Sequence, residues 1–385
     1  MSYDRSADTR SLYIHWPFCP YKCHFCPFVA LAGHDSFMEA YHRALIKEIG
    51  ESTALNDGQE IKTVFIGGGT PSTYPVPLLL DMFGTLRKRF AVDQQAEISI
   101  EVNPGTVKDG MLESWRDMGI NRLSIGVQSL NDKVLRNLNR HQSAEDVYGL
   151  VHQASALFEN ISIDLIMGLP EVSSHEWQDL INQVVSWPVK HVSVYFLTIH
   201  ENTPLYFRVQ QHKVDLPSDE ALIELYHWTV DTLKTAGFEQ YELSNFARPG
   251  FHSRHNSVYW DRKPYKGFGL GACSFDGSCR SQNEKNLMKY LQKVETGSAI
   301  EISTEQLSPE QARLELLMLG LRRSAGLAIA QLMGPLNDAQ RVKCSMLVAD
   351  YLKRGWLEQQ GETIRLSSQG LLLENEIVVQ IARIE

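Results

Sequence analysis

Cys19, Cys23 and Cys26 stand four and three residues apart in one short segment near the amino terminus. Three thiolates at this spacing can surround a four-iron, four-sulfur cluster and leave one iron without a protein ligand. An open iron can bind a reacting small molecule, whereas a cluster held by four cysteines usually carries electrons. A zinc site or buried thiols are the alternatives, but structural zinc normally takes four ligands and only histidines lie nearby to complete the set. The spacing therefore predicts chemistry at a cluster.

Glycines and polar residues follow several apolar runs farther along the chain. Gly67-Gly-Gly-Thr-Pro71 comes directly after the apolar run 64–66, and glycine lets a ligand approach the backbone because no Cβ intervenes. A tight turn is the alternative for these glycines. Glu101, Gln128 and Asp164 also lie at or just after runs that read as strands. Since the carboxyl ends of parallel strands meet at one end of an α/β barrel, these residues are candidates for one site.

The cysteine segment resembles the radical S-adenosylmethionine (SAM) superfamily, in which Cys-x-x-x-Cys-x-x-Cys binds the cluster and SAM chelates the fourth iron. Further runs are similar to the branch that contains oxygen-independent coproporphyrinogen III oxidase and the HemW-type haem chaperones. Those runs are residues 65–72, 101–106, 122–129 and 164–170. Two later segments, 237–250 and 255–260, are closer to the HemW type than to the oxidase.

The resemblance implies which residues hold the cluster and SAM. Cys19, Cys23 and Cys26 are the implied cluster ligands. The implied SAM-pocket residues are Tyr13, Phe25, Gly68, Gly69, Thr70, Glu101, Gln128, Arg140 and Asp164. Carboxylates and an amide suit the ammonium and ribose hydroxyls of SAM, and a guanidinium can pair with its carboxylate at two points. Salt bridges or helix caps are the alternative for Arg140 and Glu101.

A second motif, His255-Asn256-x-x-Tyr259-Trp260, resembles the segment associated with haem in the HemW type. An imidazole is a common axial ligand of haem iron, and aromatic rings can cover a porphyrin face. The alternative is a hydrogen-bonded structural histidine. The resemblance therefore implies a haem-binding segment, with His255 as the candidate ligand.

Apolar runs that read as strands alternate with amphipathic segments that read as helices up to residue 198. We predict strands at 11–15, 63–66, 97–102, 122–126, 161–167 and 191–198. The intervening helices are predicted at 36–51, 77–90, 108–118, 132–138, 144–157 and 175–185. Six such units are too few to close an eight-stranded barrel, and the resemblance implies an α/β fold with a partial (β/α)6 radical SAM barrel.

We predict three domains. Residues 1–205 form the barrel with the cluster and SAM sites, 206–302 form a covering segment with a helix at 218–236 and the haem motif, and 303–385 form a C-terminal domain. Apolar periodicity there predicts helices at 310–321 and 340–354, a hairpin at 356–366 and an acidic helix at 371–385. The resemblance implies a winged-helix-like α+β domain of the HemW type. Its mixed charge favours packing or partner docking over DNA binding.

Composition limits the class of protein. The chain has 385 residues, of which 43% are hydrophobic, so it can bury a large core. Its net charge of −9 argues against a nucleic-acid partner. The sequence contains no signal-like or membrane-spanning apolar stretch, and its six cysteines are too few for a disulfide scaffold. We predict a cytoplasmic protein and leave peripheral attachment to a membrane open.

The favoured function is a haem chaperone that keeps a SAM-coordinated [4Fe–4S] cluster and passes haem to an acceptor protein, soluble or membrane-bound. Two departures from the HemW pattern are Pro27, directly after the third cysteine, and Cys273, where the family has histidine. Cys273 is either an inert thiol or a second candidate for the haem ligand. These departures leave open a radical SAM enzyme that methylates or degrades haem or acts on another substrate, and coproporphyrinogen III dehydrogenase is less favoured. The expected electron donor is a flavodoxin- or ferredoxin-type protein.

Overall fold

The computed structural model describes residues 10–53, 59–371 and 373–384. Its amino-terminal part alternates strands and helices in the predicted order. The elements are β1 (Ser11–Trp16), β2 (Phe18–Cys19), β3 (Leu31–Ala32), α1 (Met38–Glu51), β4 (Glu60–Gly68), α2 (Val76–Arg89), β5 (Ala91–Val102), α3 (Met111–Asp117), β6 (Arg122–Gln128), α4 (Asp132–Asn137), α5 (Ala144–Ser155), β7 (Asn160–Met167), α6 (Ser174–Val184) and β8 (His191–Phe196). β5 begins earlier than predicted because Ala91 and Val92, ahead of the polar residues 93–95, pair with Glu60 and Ile61 at the start of β4.

Parallel strands form the centre of the main sheet in the order β1, β4, β5, β6, β7 and β8. Most of their residues are buried, as parallel strands require when helices cover one face and the other face lines a barrel. This arrangement confirms the predicted α/β fold with an open, six-unit barrel. The carboxyl ends of the strands form one end of the barrel, called the upper end below. Their amino ends form the lower end.

The next part of the chain covers the open edges of this sheet. Its elements are α7 (Pro204–Gln210), α8 (Asp219–Thr235), β9 (Glu239–Glu242), β10 (Asn245–Ala247), α9 (Arg254–Trp260), β11 (Lys266–Phe268), β12 (Cys273–Phe275), β13 (Cys279–Asn283), α10 (Leu287–Thr296) and β14 (Glu301–Gln306). β11 pairs in parallel with β1 at one edge, while β10 and then β9 extend the other edge antiparallel to β8. β12, β13 and β14 form a separate sheet.

The last part of the chain has a core of its own. Its elements are α11 (Pro309–Leu321), β15 (Leu327–Ala328), α12 (Ile329–Met333), α13 (Asp338–Lys353), β16 (Leu357–Gln360), β17 (Thr363–Leu366), α14 (Ser368–Leu371) and α15 (Glu374–Ala382). Leu317, Cys344 and Ile364 belong to a hydrophobic cluster separate from that of the barrel. The predicted helices and hairpin are present, and α15 is the predicted acidic helix. Leu372 and Glu385 of that prediction lie outside the described residues.

Local sequence specifies where several helices begin. Ser143, Ser173 and Ser308 each accept a hydrogen bond from the backbone N–H three residues later, and the side chain there bonds back to the serine N–H. Such capping boxes satisfy donors that the first helical turn leaves free, so they define the starts of α5, α6 and α11. Across the described ranges, none of the helices combines the length and the apolar character needed to span a bilayer.

Candidate functional site

The three cysteines lie in a loop at the upper end of the barrel, directly after β1. Cys19 and Cys23 are 8% and 6% exposed, and Cys26 is partly exposed. β2, which contains Cys19, pairs in parallel with β3, and Leu31 N donates a hydrogen bond to Pro17 O at 2.8 Å. The loop is therefore folded back on itself, as a segment that surrounds one cofactor must be.

Residues next to α4 and at the start of α7 hold the other side of this loop. His24 N donates to Leu138 O at 2.9 Å, and Leu205 N donates to His24 O at 3.0 Å. The Phe25 ring packs in a small apolar cluster with Leu138 and Leu205. Phe25, a predicted SAM residue, therefore also anchors the cysteine loop to the barrel.

The donor set suits an iron–sulfur cluster better than a single zinc ion. Zinc needs ligand atoms about 2.0–2.3 Å from one point, and no three His, Cys, Asp or Glu side chains in the described ranges converge in this way. A four-iron cluster instead takes each thiolate on a separate iron atom. Burial raises the pKa of the Cys23 and Cys26 thiols, so a positively charged partner is needed to hold them as thiolates at neutral pH. An iron cluster supplies that charge.

Arg140, in the segment between α4 and α5, contacts both the end of β6 and the cysteine loop. Its Nη1 lies 3.8 Å from Cys23 Sγ, Nη2 donates to Gly126 O at 2.6 Å, and Nε donates to Gln142 Oε1 at 2.9 Å. All three partners are uncharged groups, so these contacts do not support the salt-bridge alternative. The guanidinium thus lies beside the proposed cluster, where an anionic group of a ligand can pair with it.

Gln128 ends β6 in a strained backbone conformation, with a φ of 66°. The pairing of β6 with β7 shifts register between Gly126 and Gln128, which marks a bulge. A Cβ on Gly126 would lie 2.8 Å from Arg140 Nη2 and 2.9 Å from Gln128 Nε2. Glycine at 126 thus makes room for two predicted SAM residues, and positive φ at a non-glycine residue is a feature that clusters at binding sites.

The glycine run at the end of β4, Gly67–Gly69, packs against the cysteine loop. Gly69 N donates to Trp16 O at 2.8 Å, and Thr70 Oγ1 lies 2.9 Å from Cys19 Sγ. A Cβ on Gly69 would lie 2.4 Å from Pro17 O, a distance that real contacts do not reach. The glycines are therefore required for two backbone segments to meet, in addition to their predicted contact with SAM.

Two carboxylates lie inside the barrel below the glycine run. Gly68 N donates to Glu101 Oε2 at 3.0 Å, and Ser124 Oγ donates to Asp164 Oδ2 at 2.9 Å. Burial, with a smaller contribution from the charge of Asp164, raises the pKa of Glu101 to about 7. Burial also raises the pKa of Asp164. A bound cation would favour the ionised form of both groups, as the ammonium or sulfonium of SAM would.

Glu101 and Asp164 border a cavity of about 200 Å³ inside the barrel, together with the predicted residue Tyr13. Its other lining residues are Phe65, Arg122, Ser124, Ser193, Tyr195, Asn256 and Tyr259. The first five of these are not among the site residues that the sequence predicts. A signal was present in β6, where Arg122 and Ser124 alternate with apolar residues, since alternate residues of a strand share one face.

His255 lies at the lower end of the barrel, on the short helix α9. It is fully buried, with Nδ1 2.8 Å from Thr63 Oγ1 and Nε2 2.8 Å from Tyr259 Oη. Its backbone N–H donates to Glu97 Oε1 at 2.9 Å, and its ring stacks on Phe65 with centroids 5.2 Å apart. Burial lowers the pKa of His255 to about 3. The His255 imidazole is therefore neutral, and both of its nitrogens are engaged in hydrogen bonds within the protein.

The rest of the haem motif connects the cavity to the C-terminal part. Asn256 and Tyr259 border the cavity, and the Trp260 ring meets Tyr241 edge-on at 5.6 Å. Asp261, which follows the motif, pairs with Arg323. α9 thus joins the lower end of the barrel to the segment that follows α11.

Cys273, the second candidate for the haem ligand, begins β12. It is partly exposed, and Gln282 Nε2 lies 3.4 Å from its sulfur. It contributes to the raised pKa of Tyr13 and Tyr259, although burial is the main cause of both shifts. The structure therefore places Cys273 in the surroundings of these two cavity tyrosines.

Comparisons with known proteins agree with this arrangement. Residues 13–184 match the radical SAM superfamily, and residues 307–373 match the HemN C-terminal domain. The heme chaperone HemW of Synechocystis sp. is 36% identical over 91% of this chain and 86% of that protein. The heme chaperone HemW of Bacillus subtilis is 31% identical over 96% of this chain and 98% of that protein.

This chain belongs to the HemW family of radical SAM proteins.

A solved structure extends the similarity to the whole fold. Coproporphyrinogen III oxidase (HemN) from Escherichia coli, described as a radical SAM enzyme, superimposes with a TM-score of 0.84 at 26% identity and covers 98% of this chain and 91% of that one. The predicted family and fold are therefore confirmed. Membership in the radical SAM superfamily implies a [4Fe–4S] cluster and SAM, whereas the individual ligand residues stay predictions.

Proposed function

We propose that the protein is a haem chaperone that binds haem and passes it to an acceptor protein. The observation that carries this proposal is similarity along nearly the whole chain to proteins named heme chaperone HemW in several bacteria. The motif at His255–Trp260 and the HemN-type C-terminal domain lie within that similarity. We also propose the division into a barrel of residues 1–205, a covering segment of 206–302 and a C-terminal domain of 303–385.

Cys19, Cys23 and Cys26 are the proposed ligands of a [4Fe–4S] cluster, with SAM at the open iron. A cluster held by these residues would, once reduced, supply the electron that cleaves SAM. Arg140, whose guanidinium lies beside Cys23, would orient SAM by pairing with its carboxylate. The remaining proposed SAM contacts are Tyr13, Phe25, Gly68, Gly69, Thr70, Glu101, Gln128 and Asp164.

Haem ligation by His255 requires one of its present hydrogen bonds to open. Nε2 is engaged by Tyr259 and Nδ1 by Thr63, and the ring has no exposed surface. We propose that haem binding displaces Tyr259 from Nε2, while Asn256 and Trp260 contribute polar and aromatic contacts. Cys273 is the second proposed ligand, because a thiolate also binds haem iron.

Haem uptake and transfer provide the test. Cluster-reconstituted protein is incubated anaerobically with haem, SAM and a strong reductant, then with a haem-free globin as acceptor, and every small molecule is analysed by mass spectrometry. One intact haem bound per chain and passed to the globin is the expected result. Methylated or ring-opened haem, with S-adenosylhomocysteine or 5′-deoxyadenosine accumulating, would instead establish an enzyme.

Variants identify the haem ligand in the same assay. If His255 binds the iron, His255→Ala changes the haem spectrum, whereas Tyr259→Phe keeps the spectrum and raises haem affinity because Nε2 no longer has to leave a partner. If Cys273 is the ligand, Cys273→Ala changes the spectrum and His255→Ala does not. Cys344→Ala, in the C-terminal core, is the control.

A second candidate is a radical SAM enzyme acting on haem or on another substrate. The cavity of about 200 Å³ that borders the proposed SAM residues favours it, because a substrate there would lie next to SAM. The electron donor in either case is proposed to be a flavodoxin- or ferredoxin-type protein. Location in the cytoplasm, with or without membrane attachment, is likewise a proposal.

A further inference from the structure

Arg122 is a buried cation that the proposed function does not use. It is 1% exposed, borders the barrel cavity, and its Nε and Nη1 have no hydrogen-bond partner among the described residues. A buried charge without a partner is strongly destabilising, so such groups are normally paired or bind a ligand. The unpaired guanidinium therefore indicates a place for an anion.

The Asp164 carboxyl does not pair with Nε or Nη1 of Arg122. The charge of Arg122 lowers the pKa of Asp164, although less than burial raises it. The Asp164 carboxylate accepts its hydrogen bond from Ser124 instead. The Arg122 charge also acts to lower the pKa values of His191, His255 and Tyr241. None of these three groups carries a negative charge at neutral pH. Around this cation the protein thus places neutral groups and the Asp164 carboxyl, and none of them accepts a hydrogen bond from Nε or Nη1.

The lining of the cavity suggests what kind of anion fits. Aromatic surface comes from Tyr13, Phe65 and Tyr259, and polar groups come from Ser193 and Asn256. The two carboxyl groups of the lining, Glu101 and Asp164, lie nearer the upper end than Arg122. Small-molecule sites typically combine apolar walls with a few polar groups and one charged group. A volume of about 200 Å³ suits a small organic molecule. A carboxylate is the group that a guanidinium binds best in such surroundings.

Arg122 lies too deep to be the proposed partner of the SAM carboxylate. It pairs in register with Ser99 and Asn160, whereas Ser124 pairs with Glu101, one step nearer the upper end. Two residues of a strand span about 6.6 Å. Arg140, by contrast, reaches Cys23 in the cysteine loop. The two arginines therefore serve different levels of the barrel.

We propose that the lower part of this cavity, at the level of Arg122, binds a small organic carboxylate with Arg122 as its counter-ion, while the proposed SAM residues Tyr13, Glu101 and Asp164 border the upper part. This inference rests on the proposed function only for the position of SAM, which is placed above the carboxylate site. The carboxylate site needs neither cluster nor haem, so failure of haem transfer would leave it untouched.

Binding of radiolabelled acetate to the full chain, measured by equilibrium dialysis with and without SAM, tests the proposal. The wild-type protein is expected to bind one acetate per chain in both conditions. Arg122→Gln is expected to bind about tenfold more weakly or worse, and Arg122→Lys, which keeps the charge but loses the planar fork, is expected to be intermediate. Arg313→Gln is the matched control, because Arg313 is also buried with unpartnered nitrogens but lies in α11, outside the cavity.

Several outcomes would overturn the proposal. These are equal acetate binding by Arg122→Gln and wild type, no binding by wild type, or competition between acetate and SAM, which would make Arg122 a SAM residue. Crystals grown in acetate decide the case if Arg122→Gln does not fold. Acetate on Nε or Nη1 supports the site, and ordered water alone at both nitrogens contradicts it.

Discussion

The upper and lower ends of the barrel hold their chemically capable residues in opposite ways. At the upper end, backbone contacts fix the cysteine loop, while the Cys23 and Cys26 thiols and the Arg140 charge remain available to a ligand. At the lower end, His255 and His191 are fully buried, and each has both ring nitrogens hydrogen-bonded. A residue can therefore belong to a family motif and still be unable to bind a ligand, because its polar atoms are already hydrogen-bonded within the protein.

Removal of a single cluster cysteine should have the largest effect. Cys19→Ala, Cys23→Ala or Cys26→Ala leaves an iron of the cluster without its thiolate, so we expect complete loss of bound iron, sulfide and visible absorbance after anaerobic reconstitution. Cys344→Ala, a fully buried core thiol, should keep the cluster. Retention of iron by all three variants would contradict the assignment of the upper end.

Gly69→Ala tests whether the glycine run builds the cysteine loop. The new Cβ would lie 2.4 Å from Pro17 O, so the loop must shift. We expect a loss of about 1–3 kcal/mol in the free energy of unfolding and lower cluster content. Gly84→Ala in α2, where nothing lies within 4 Å of the new Cβ, should stabilise the protein by about 0.5–1 kcal/mol. Equal stability and equal cluster content in the two variants would show that the glycine run is not needed for assembly of the cluster.

The lower end should weaken in acid through its buried histidines. The unfolded chain protonates His255 as pH falls through 6.5, but the folded protein resists until about pH 3. Stability is therefore lost as pH falls between these values, by about 1.4 kcal/mol per pH unit for each such histidine. The destabilisation caused by His255→Gln should shrink by that amount per unit, because glutamine does not titrate.

Denaturant unfolding of wild type and His255→Gln at several pH values measures this difference. The contributions of the other titrating groups to the free energy of unfolding are the same in both proteins and cancel in the difference. His152→Gln, which removes an exposed imidazole from α5, is the control. A constant difference between wild type and His255→Gln from pH 7 to pH 5 would mean that His255 is charged or accessible in the folded protein.

At the upper end, SAM affinity should rise with pH because Glu101 must be ionised to pair with a cation. With a pKa of about 7, this carboxylate is mostly protonated below that value. We expect about tenfold tighter SAM binding at pH 8 than at pH 6. Asp164, Tyr13 and Tyr259 face the same group, and the two tyrosines stay neutral because burial raises their pKa values. In Glu101→Gln, calorimetric titration should show this pH dependence lost or much reduced.

Local sequence accounts for most of the barrel. The apolar runs and helical periodicities predict the order of the strands and helices, and β1, β6 and β7 begin within one residue of their predicted starts. The start of β5 at Ala91 was missed because the polar residues 93–95 interrupt the apolar run, and Ala91 and Val92 gain strand structure from pairing with Glu60 and Ile61 of β4. Pairing between strands is not encoded in the periodicity of either strand alone.

The sequence by itself determined the family, the parallel α/β barrel, the helix starts and the candidate cysteines, because spacing, periodicity and capping act over a few residues. Only the tertiary structure decided which side chains are free. Thr63 and His255 lie 192 positions apart in the chain, yet their hydrogen bond occupies the imidazole of the haem motif. Arg122 looks like an ordinary strand residue, and the packing of the other strands and α9 around it leaves its charge facing a cavity. Burial and pairing depend on contacts between distant segments, which no local pattern contains.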